Sequence, residues 1–316
     1  MSDPSSTAHP RVTQAFVLGA GLGTRLKRLT AGRPKPLVPV LGKPLITYAF
    51  DHLLGVGVER IVINTHHRAE AYGAAFPGGV YRHAALTFRH EPVLLETGGG
   101  IKNVEDLLGG APFLVYNGDI LATLPLKPAI ERHFATGNEV TLILRSHGGP
   151  LQVAFDPATG RVLDIGHRLG RAPGTHLFTG IYLVQPTFFQ RLRLEKLSVI
   201  PAFVEMIAQG AALGAIVIDE GEWWDLGTRE QYLEVHRALC ATQPAACRVH
   251  PTARIDPAAA LTGATCIGPG ARVGAHAQLH DCVLWEGTAI APESVLTRCI
   301  VTDHQTAGGV HADCDF

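Results

Sequence analysis

Cysteine is absent from this 316-residue chain until Cys240, and the six cysteines from there on contain no Cys-x-x-Cys pair. Thiolate zinc sites and dithiol redox chemistry are thereby excluded from the larger part of the molecule. Charge is also scarce: 17% of residues are Asp, Glu, Lys or Arg, the formal net charge is −1, and no block of lysine or arginine occurs. Such a chain carries no electrostatic footprint for nucleic acid or an anionic membrane, so an acidic substrate must be held by a few local cations. No run of about 18 apolar residues is present to span a membrane as a helix. Met1–His9 is polar, rich in Ser and Pro, and lacks the apolar core of a secretion signal. We expect residues 1–12 to be a disordered tail and the protein to be cytoplasmic, with its thiols reduced. The sixteen histidines lack metal-ligand spacing, and no Ser-His-Asp or Cys-His constellation points to a covalent intermediate.

What the sequence does have is glycine in the right place. An apolar run, Gln14–Leu18, empties into Gly19-Ala20-Gly21-Leu22-Gly23-Thr24-Arg25, and Pro34-Lys35-Pro36 follows. A loop almost free of side chains lets backbone N–H groups close on phosphate oxygens, and a helix starting there would add its positive end. No Gly-Lys-Ser/Thr follows, so this is not a Walker loop, and Thr24 replaces the third glycine of the dinucleotide fingerprint.

A hydrophobic content of 46% fits a folded chain, and the length suggests two domains. From residue 13 to 241, short β-branched runs alternate with helical spacing. Strands are predicted at Gln14–Leu18, Arg60–Asn64, Leu86–His90, Pro112–Tyr116, Glu139–Leu144, Phe178–Val184 and Ala215–Asp219. Helices are predicted at Pro44–Leu54, Gly99–Leu108 and Lys127–Ala135. This alternation predicts a Rossmann-like, three-layer α/β domain whose mostly parallel sheet binds its ligand at the carboxyl ends of the strands. Asp119 falls at that edge with the glycine loop, and Thr179-Gly180 would be carried into the same crevice. Beyond residue 247 the texture changes: apolar residues recur every six positions at Val249, Ile255, Leu261, Ile267, Val273 and Leu279, then resume after one five-residue step at Leu284, Ile290 and Leu296. This predicts a short left-handed parallel β-helix over 247–316, with about three coils. The stretch from Cys240 to Cys247, with Pro244, reads as the joint.

Gly19–Arg25, Pro34–Ile46, Asn117-Gly118-Asp119, Trp224-Asp225-Leu226-Gly227-Thr228 and the hexapeptide tail together resemble the sugar-phosphate nucleotidylyltransferases. The resemblance implies Mg²⁺-dependent transfer of a nucleoside monophosphate from a triphosphate to a sugar 1-phosphate, releasing pyrophosphate. It implies that Arg25 grips the β- and γ-phosphates and Lys35 the α-phosphate, that Gly21, Gly23, Thr24, Gly98, Gly99 and Asn117 bind nucleotide, and that Asp119 and Asp225 hold the metal. Glu96, Thr179 and Gly180 would face the sugar. Glu96-Thr97-Gly98-Gly99-Gly100 departs from the commoner Gly-Thr-Ala-Gly form and looks like the N-acetylmuramate-1-phosphate uridylyltransferases and mannose-1-phosphate guanylyltransferase-like members. UTP with an amino sugar 1-phosphate is the first expectation, and GTP with mannose 1-phosphate, or a non-catalytic regulatory subunit of the same fold, the alternative. Self-association through the β-helix is expected, with no nucleic-acid or membrane partner.

Overall fold

The computed structural model describes residues 11–21, 23–242 and 248–316. The N-terminal tail up to residue 10, Leu22 of the glycine loop and residues 243–247 of the expected joint lie outside the described residues. The chain divides into two compact units: one takes the chain as far as Leu22 and again Ile46–Trp223, the other Gly23–Leu45 with Trp224–Phe316. No helix among the described residues is long and apolar enough to cross a membrane.

A ten-stranded mixed sheet organises the first unit. From one edge its order is Val153–Asp156, Arg161–Ile165, Leu213–Val217, Val140–Arg145, Leu177–Val184, Phe113–Asn117, Gln14–Leu18, Arg60–Thr65, Ala84–His90 and Val80–Tyr81. Val, Ile, Leu and Phe dominate the central strands because helices cover both faces, the arrangement that buries a parallel sheet. Phe16, Val62, Val115, Leu142 and Tyr182 belong to one core with Phe188, Phe203 and Met206. Leu177–Val184 runs antiparallel to both of its neighbours. Its beginning therefore meets the carboxyl end of Phe113–Asn117, with Ile181 opposite Tyr116. Leu18 lies opposite both Asn64 and Asn117, and Asn64 opposite Arg89, so the parallel strands finish along one edge.

The predicted strands are observed within two residues of their expected starts and ends. Of the helices, Ile46–Leu54 and Lys127–Thr136 match, whereas the expected Gly99–Leu108 helix is two short pieces, Glu96–Lys102 and Glu105–Leu108. The helix expected after the glycine loop is present at Thr24–Thr30, wound as a 3-10 helix. The Thr30 hydroxyl and the Leu26 N–H both donate to the Gly23 carbonyl, so the first acceptor of an α-helical ladder is already taken. A short 3-10 helix has poorer hydrogen-bond alignment than an α-helix, so the positive end expected after the glycine loop is weaker than a full α-helix would give.

In the second unit the hexad pattern becomes a left-handed β-helix with three parallel sheets. Ile267, Val273, Leu279, Leu284, Ile290, Leu296 and Val301 fill its interior with the buried thiols of Cys282 and Cys299. Each corner is turned by a stacked column of left-handed residues: Gly263, Asp281, Arg298 and Asp313; Gly270, Gly287 and His304; His276, Glu293 and Gly309. The five-residue step is absorbed at one such corner. Gly263-Ala264-Thr265 spans it in the first coil and Asp281-Cys282 in the next, while the flanking strands keep their register.

This β-helix is also stitched to the two other segments of its unit. Arg229 of the helix Arg229–Thr242 meets Asp315 at 2.7 Å and Asp313 at 3.5 Å, and Arg237 meets Asp281 at 3.1 Å. Arg33 pairs with Asp303 and its guanidinium lies 5.0 Å over the Trp285 ring. Trp285 Nε1 donates to the Tyr232 hydroxyl at 2.9 Å, and that hydroxyl donates to the Pro39 carbonyl. His236 closes the same corner, its Nδ1 at 2.8 Å from the Tyr232 carbonyl and its Nε2 accepting from the Leu41 N–H at 3.3 Å.

Two measurements test this packing. Burial depresses the pKa of both His133 and His236 to about 4. An unfolded histidine titrates near 6.5, so between pH 6.5 and about 4 the unfolded chain takes up protons that the folded chain refuses. The associated stability is complete above pH 6.5 and is lost as pH falls through that window, by up to about 3 kcal/mol for each histidine. Urea unfolding at pH 7 and pH 5 should show this loss, and His236→Gln should flatten the pH dependence. Trp285→Phe keeps the ring but removes the N–H bond to Tyr232, and should cost about 1 kcal/mol in the same assay at pH 7; an unchanged midpoint would show that the bond is not part of what holds the unit together.

Candidate functional site

The first unit carries half of the polar residues singled out in the sequence, Glu96, Asn117, Asp119 and Thr179. Gly19 has no room for a side chain, since a Cβ would stand 2.7 Å from the Asn64 carbonyl, whereas Gly21 faces open space. Gly118 donates to the Leu18 carbonyl at 2.9 Å, which docks Asn117-Gly118-Asp119 beside the glycine turn. Tyr72 donates to the Gly19 carbonyl at 2.8 Å. Its phenol pKa is driven far up by burial, with the negative charge of Asp119 adding to the shift. Gly180 adopts φ +78 at the irregularity in its strand, and a Cβ there would lie 2.4 Å from Asn117 Nδ2. Only glycine combines that backbone with that contact.

Thr179 is buried beside it, donating to the Ile143 carbonyl at 2.7 Å and accepting from the Ile181 N–H, while its own carbonyl receives Trp223 Nε1 at 2.9 Å. The Glu96 segment is held from its other side. Gly98 and Gly99 both donate to the Leu197 carbonyl, at 2.7 and 3.1 Å. A Cβ on Gly99 would overlap the Glu195 carbonyl and one on Gly98 would press on Leu197 and Ser198. The glycines are thus required by the close passage of residues 195–198, and their N–H groups are already used. Glu96, half-exposed and in the left-handed region at φ 59, stands 3.8 Å from Lys196.

The second unit holds the cations. Gly23, at φ +60, turns the chain where a Cβ would strike the Cβ of Lys35 at 2.8 Å, so Gly23 and the Pro-Lys-Pro turn are packed together. Lys35 begins a short 3-10 helix, Lys35–Leu37, and its side chain is 4% exposed, with Nζ 3.4 Å from Asp225 Oδ1. Arg25 reaches the other oxygen of the same carboxylate, Oδ2, at 3.5 Å, with its side chain 65% exposed. Gly227 gives Arg25 its path, since a Cβ there would lie 2.6 Å from the guanidinium. Thr24 is exposed and follows Gly23 directly. The exposed half of this cluster contributes little to stability, about 0–1 kcal/mol, but it leaves a guanidinium free to turn toward an anion.

Sequence reasoning passed over three residues at the first unit's edge: Asn64, Tyr72 and Glu91. Asn64 and Glu91 are buried and hydrogen-bonded to each other at 2.8 Å. A lone polar residue at a strand end has no periodicity to betray it; the available signal was only that each follows an apolar run and precedes a loop. For metal binding, no group of three or more His, Cys, Asp or Glu side chains gathers among the described residues. Mg²⁺ needs no such cage, because one or two carboxylates complete its shell with phosphate and water oxygens.

Comparisons with known proteins identify the family and the fold. The profile of the nucleotidyl transferase family matches residues 14–242, and that described as GMPPB C-terminal domain matches 244–312. A mannose-1-phosphate guanylyltransferase of Mycobacterium tuberculosis is 29% identical over 90% of this chain and 83% of its own length. Mannose-1-phosphate guanylyltransferase 1 of Arabidopsis thaliana is 28% identical over 93% of this chain and 87% of its own. Among solved structures, a UDP-glucose pyrophosphorylase from Acinetobacter baumannii shares the fold with a TM-score of 0.64 at 19% identity, covering 74% of this chain and 95% of that one. HddC from Yersinia pseudotuberculosis, complexed with GMP-PN, shares it at 0.60 and 23%, covering 71% and 97%. With its glycine turn, its acidic strand ends and a family match that spans the whole α/β region, the chain belongs to the nucleotidyl transferase family.

Proposed function

We propose that this protein makes GDP-mannose from GTP and mannose 1-phosphate. The reaction class, transfer of a nucleoside monophosphate to a sugar 1-phosphate, follows from the family. The choice of substrates is our reading, and it reverses the order reached from the sequence, where UTP with an amino sugar 1-phosphate came first. The names of relatives that run along nine-tenths of the chain support it.

One observation carries the mechanism: Arg25 and Lys35 share the carboxylate of Asp225 within a single packed cluster. A sugar phosphate is mostly dianionic at neutral pH and needs little activation as a nucleophile. Its oxygen forms a bond to the α-phosphorus of GTP, the bond between that phosphorus and the bridging oxygen breaks, and the bridging oxygen leaves with the electron pair as part of pyrophosphate. The obstacle is the meeting of polyanions, so fixed positive charge and positioning supply most of the catalysis. Arg25, exposed and planar, would take two oxygens of the β- and γ-phosphates, and Lys35, buried and compact, would sit at the α-phosphate and the incoming sugar phosphate.

Gly21, Gly23 and Thr24 would offer N–H groups to the triphosphate, and Asn117 would meet the nucleoside. Gly98 and Gly99, buried against residues 195–198 with their N–H groups spent on Leu197, would shape the nucleotide-binding segment without donating to the ligand. Glu96, Thr179 and Gly180 are assigned to the sugar. The family works with a divalent metal, and we assign Mg²⁺ to Asp119 and Asp225. Bound there, it would neutralise phosphate charge and orient the leaving group. We further assign the chemistry to residues 13–241, self-association to the β-helix over 247–316, and the cytoplasm as the site of action.

Pyrophosphate release, measured with Mg²⁺ for GTP, UTP, ATP, CTP and dTTP against mannose, glucose, N-acetylglucosamine and N-acetylmuramate 1-phosphates, should show one preferred pair, GTP with mannose 1-phosphate. Preference for UTP with N-acetylmuramate 1-phosphate would return the first expectation, and no release from any pair would favour a regulatory subunit. Arg25→Ala should lower kcat by roughly 10²- to 10³-fold, about 3–4 kcal/mol, with the fold retained because the side chain is exposed. Asp225→Asn should raise the Mg²⁺ concentration needed for half-maximal turnover; a metal dependence equal to the parent's would remove Asp225 from the metal.

A further inference from the structure

Four groups at the carboxyl edge of the first unit form a continuous hydrogen-bonded relay. The Gly19 N–H donates to Asn64 Oδ1 at 2.8 Å, Asn64 Nδ2 donates to Glu91 Oε1 at 2.8 Å, and the Leu95 N–H donates to Glu91 Oε2 at 3.0 Å. Asn64 is 1% exposed and Glu91 fully buried. One end of the relay holds the strand exit into the glycine turn, and the other holds the residue before the Glu96-Thr97-Gly98-Gly99-Gly100 segment. Nothing larger than glycine fits against its centre: a Cβ on Gly100 would lie 2.8 Å from Asn64 Nδ2 and 3.1 Å from Glu91 Oε1. A carboxylate buried against neutral donors is an expensive way to fill space, since desolvating its charge costs several kcal/mol and apolar packing would serve stability as well.

We propose that Asn64 and Glu91 are positioning residues that set the distance between the glycine turn and the Glu96 segment, so that both meet one nucleotide. The inference rests on the reading of those two segments as nucleotide-binding. Every hydrogen bond in the relay has a fixed direction: Glu91 must accept twice, and Asn64 must accept at one end and donate at the other. This directionality allows an exchange that preserves shape and charge. In Asn64→Asp/Glu91→Gln, the Gly19 N–H donates to the new carboxylate, the new amide nitrogen donates to that carboxylate's second oxygen, and the amide oxygen still accepts from Leu95. Each single change breaks the relay instead. Glu91→Gln presents one acceptor to two donors, and Asn64→Asp sets two carboxylates face to face.

Steady-state kinetics with varied GTP, together with amide hydrogen exchange of peptides covering 15–21 and 91–100, test the proposal. Each single variant should raise KM for the nucleotide roughly ten- to hundredfold, with a smaller change in kcat and faster exchange in both peptides. The double variant should return KM to within a few-fold of the parent and restore protection at both ends. Parental KM in Glu91→Gln, or a double variant that regains protection and thermal stability without regaining KM, would overturn the proposal, because a merely structural network would be repaired without repairing the kinetics. If Asn64→Asp does not fold, Asn64→Ser, too short to reach both partners, takes its place. Should the parent turn over no nucleotide, the function proposed above fails while the exchange data still decide whether the relay couples the two segments.

Discussion

An ammonium group taken out of water must be met by a counter-charge wherever the chain can supply one, and that constraint organises the second unit. Lys35 is nearly inaccessible, and Asp225 lies beside it across 190 residues of sequence. A desolvated lysine without compensation would cost several kcal/mol or lose its proton. The pairing therefore dictates that the Pro-Lys-Pro turn and the Trp-Asp-Leu-Gly-Thr segment share one compact body. The same carboxylate reaches Arg25 through its second oxygen, which links the most guarded cation of the cluster to its most exposed one. The guarded charge is fixed in place, and the exposed one keeps its freedom to adjust.

The first unit follows a different rule. Its residues are placed by where strands stop. Leu18, Asn64 and Asn117 share a level in the sheet through pairing alone, and the antiparallel strand brings Gly180 back to that level from the opposite direction. Backbone register thus fixes the outline of this edge to within a residue, and side chains are left to adjust details. In the second unit the reverse holds: long ionic and aromatic contacts, such as Arg33 with Trp285 and Asp303, fix segments that no common sheet joins.

This division explains what could be read in advance. Gln14–Leu18 and Arg60–Thr65 announce themselves as apolar runs ending in glycine or polar residues, and the interior of the β-helix is written in its six-residue spacing from Val249 to Leu296. Both are periodic signals, repeated often enough to outweigh local noise. Trp285 against Tyr232 and Asn64 against Glu91 are single encounters between residues far apart in the chain, and no local pattern marks them. The 3-10 turn of Thr24–Thr30 was hidden for another reason: its helical spacing is real, but the Thr30 hydroxyl competes for the Gly23 carbonyl, an interaction that propensity does not encode. The substrate preference was the least legible feature, because Gly98 and Gly99 of the loop from which it was read are accounted for by the passage of residues 195–198.

The corner columns of the β-helix have a consequence for how such a tail can change over time. Each corner asks only for a residue that accepts a left-handed backbone, and Gly, Asp, Glu, His and Arg all fill that role here. The strain of a non-glycine residue at such a position is on the order of 1 kcal/mol, small enough to be carried by stacking within the coil. Corners are therefore free to vary in chemistry, and they accept the loss of one residue, as the Asp281 corner does, without disturbing the strands on either side. Insertions and deletions at corners leave the interior column intact, while a single insertion within a two-residue strand would turn the next apolar side chain outward. The architecture thus confines length variation to three vertical seams, and whatever surface this tail presents to other molecules can be rewritten along those seams without recutting the core.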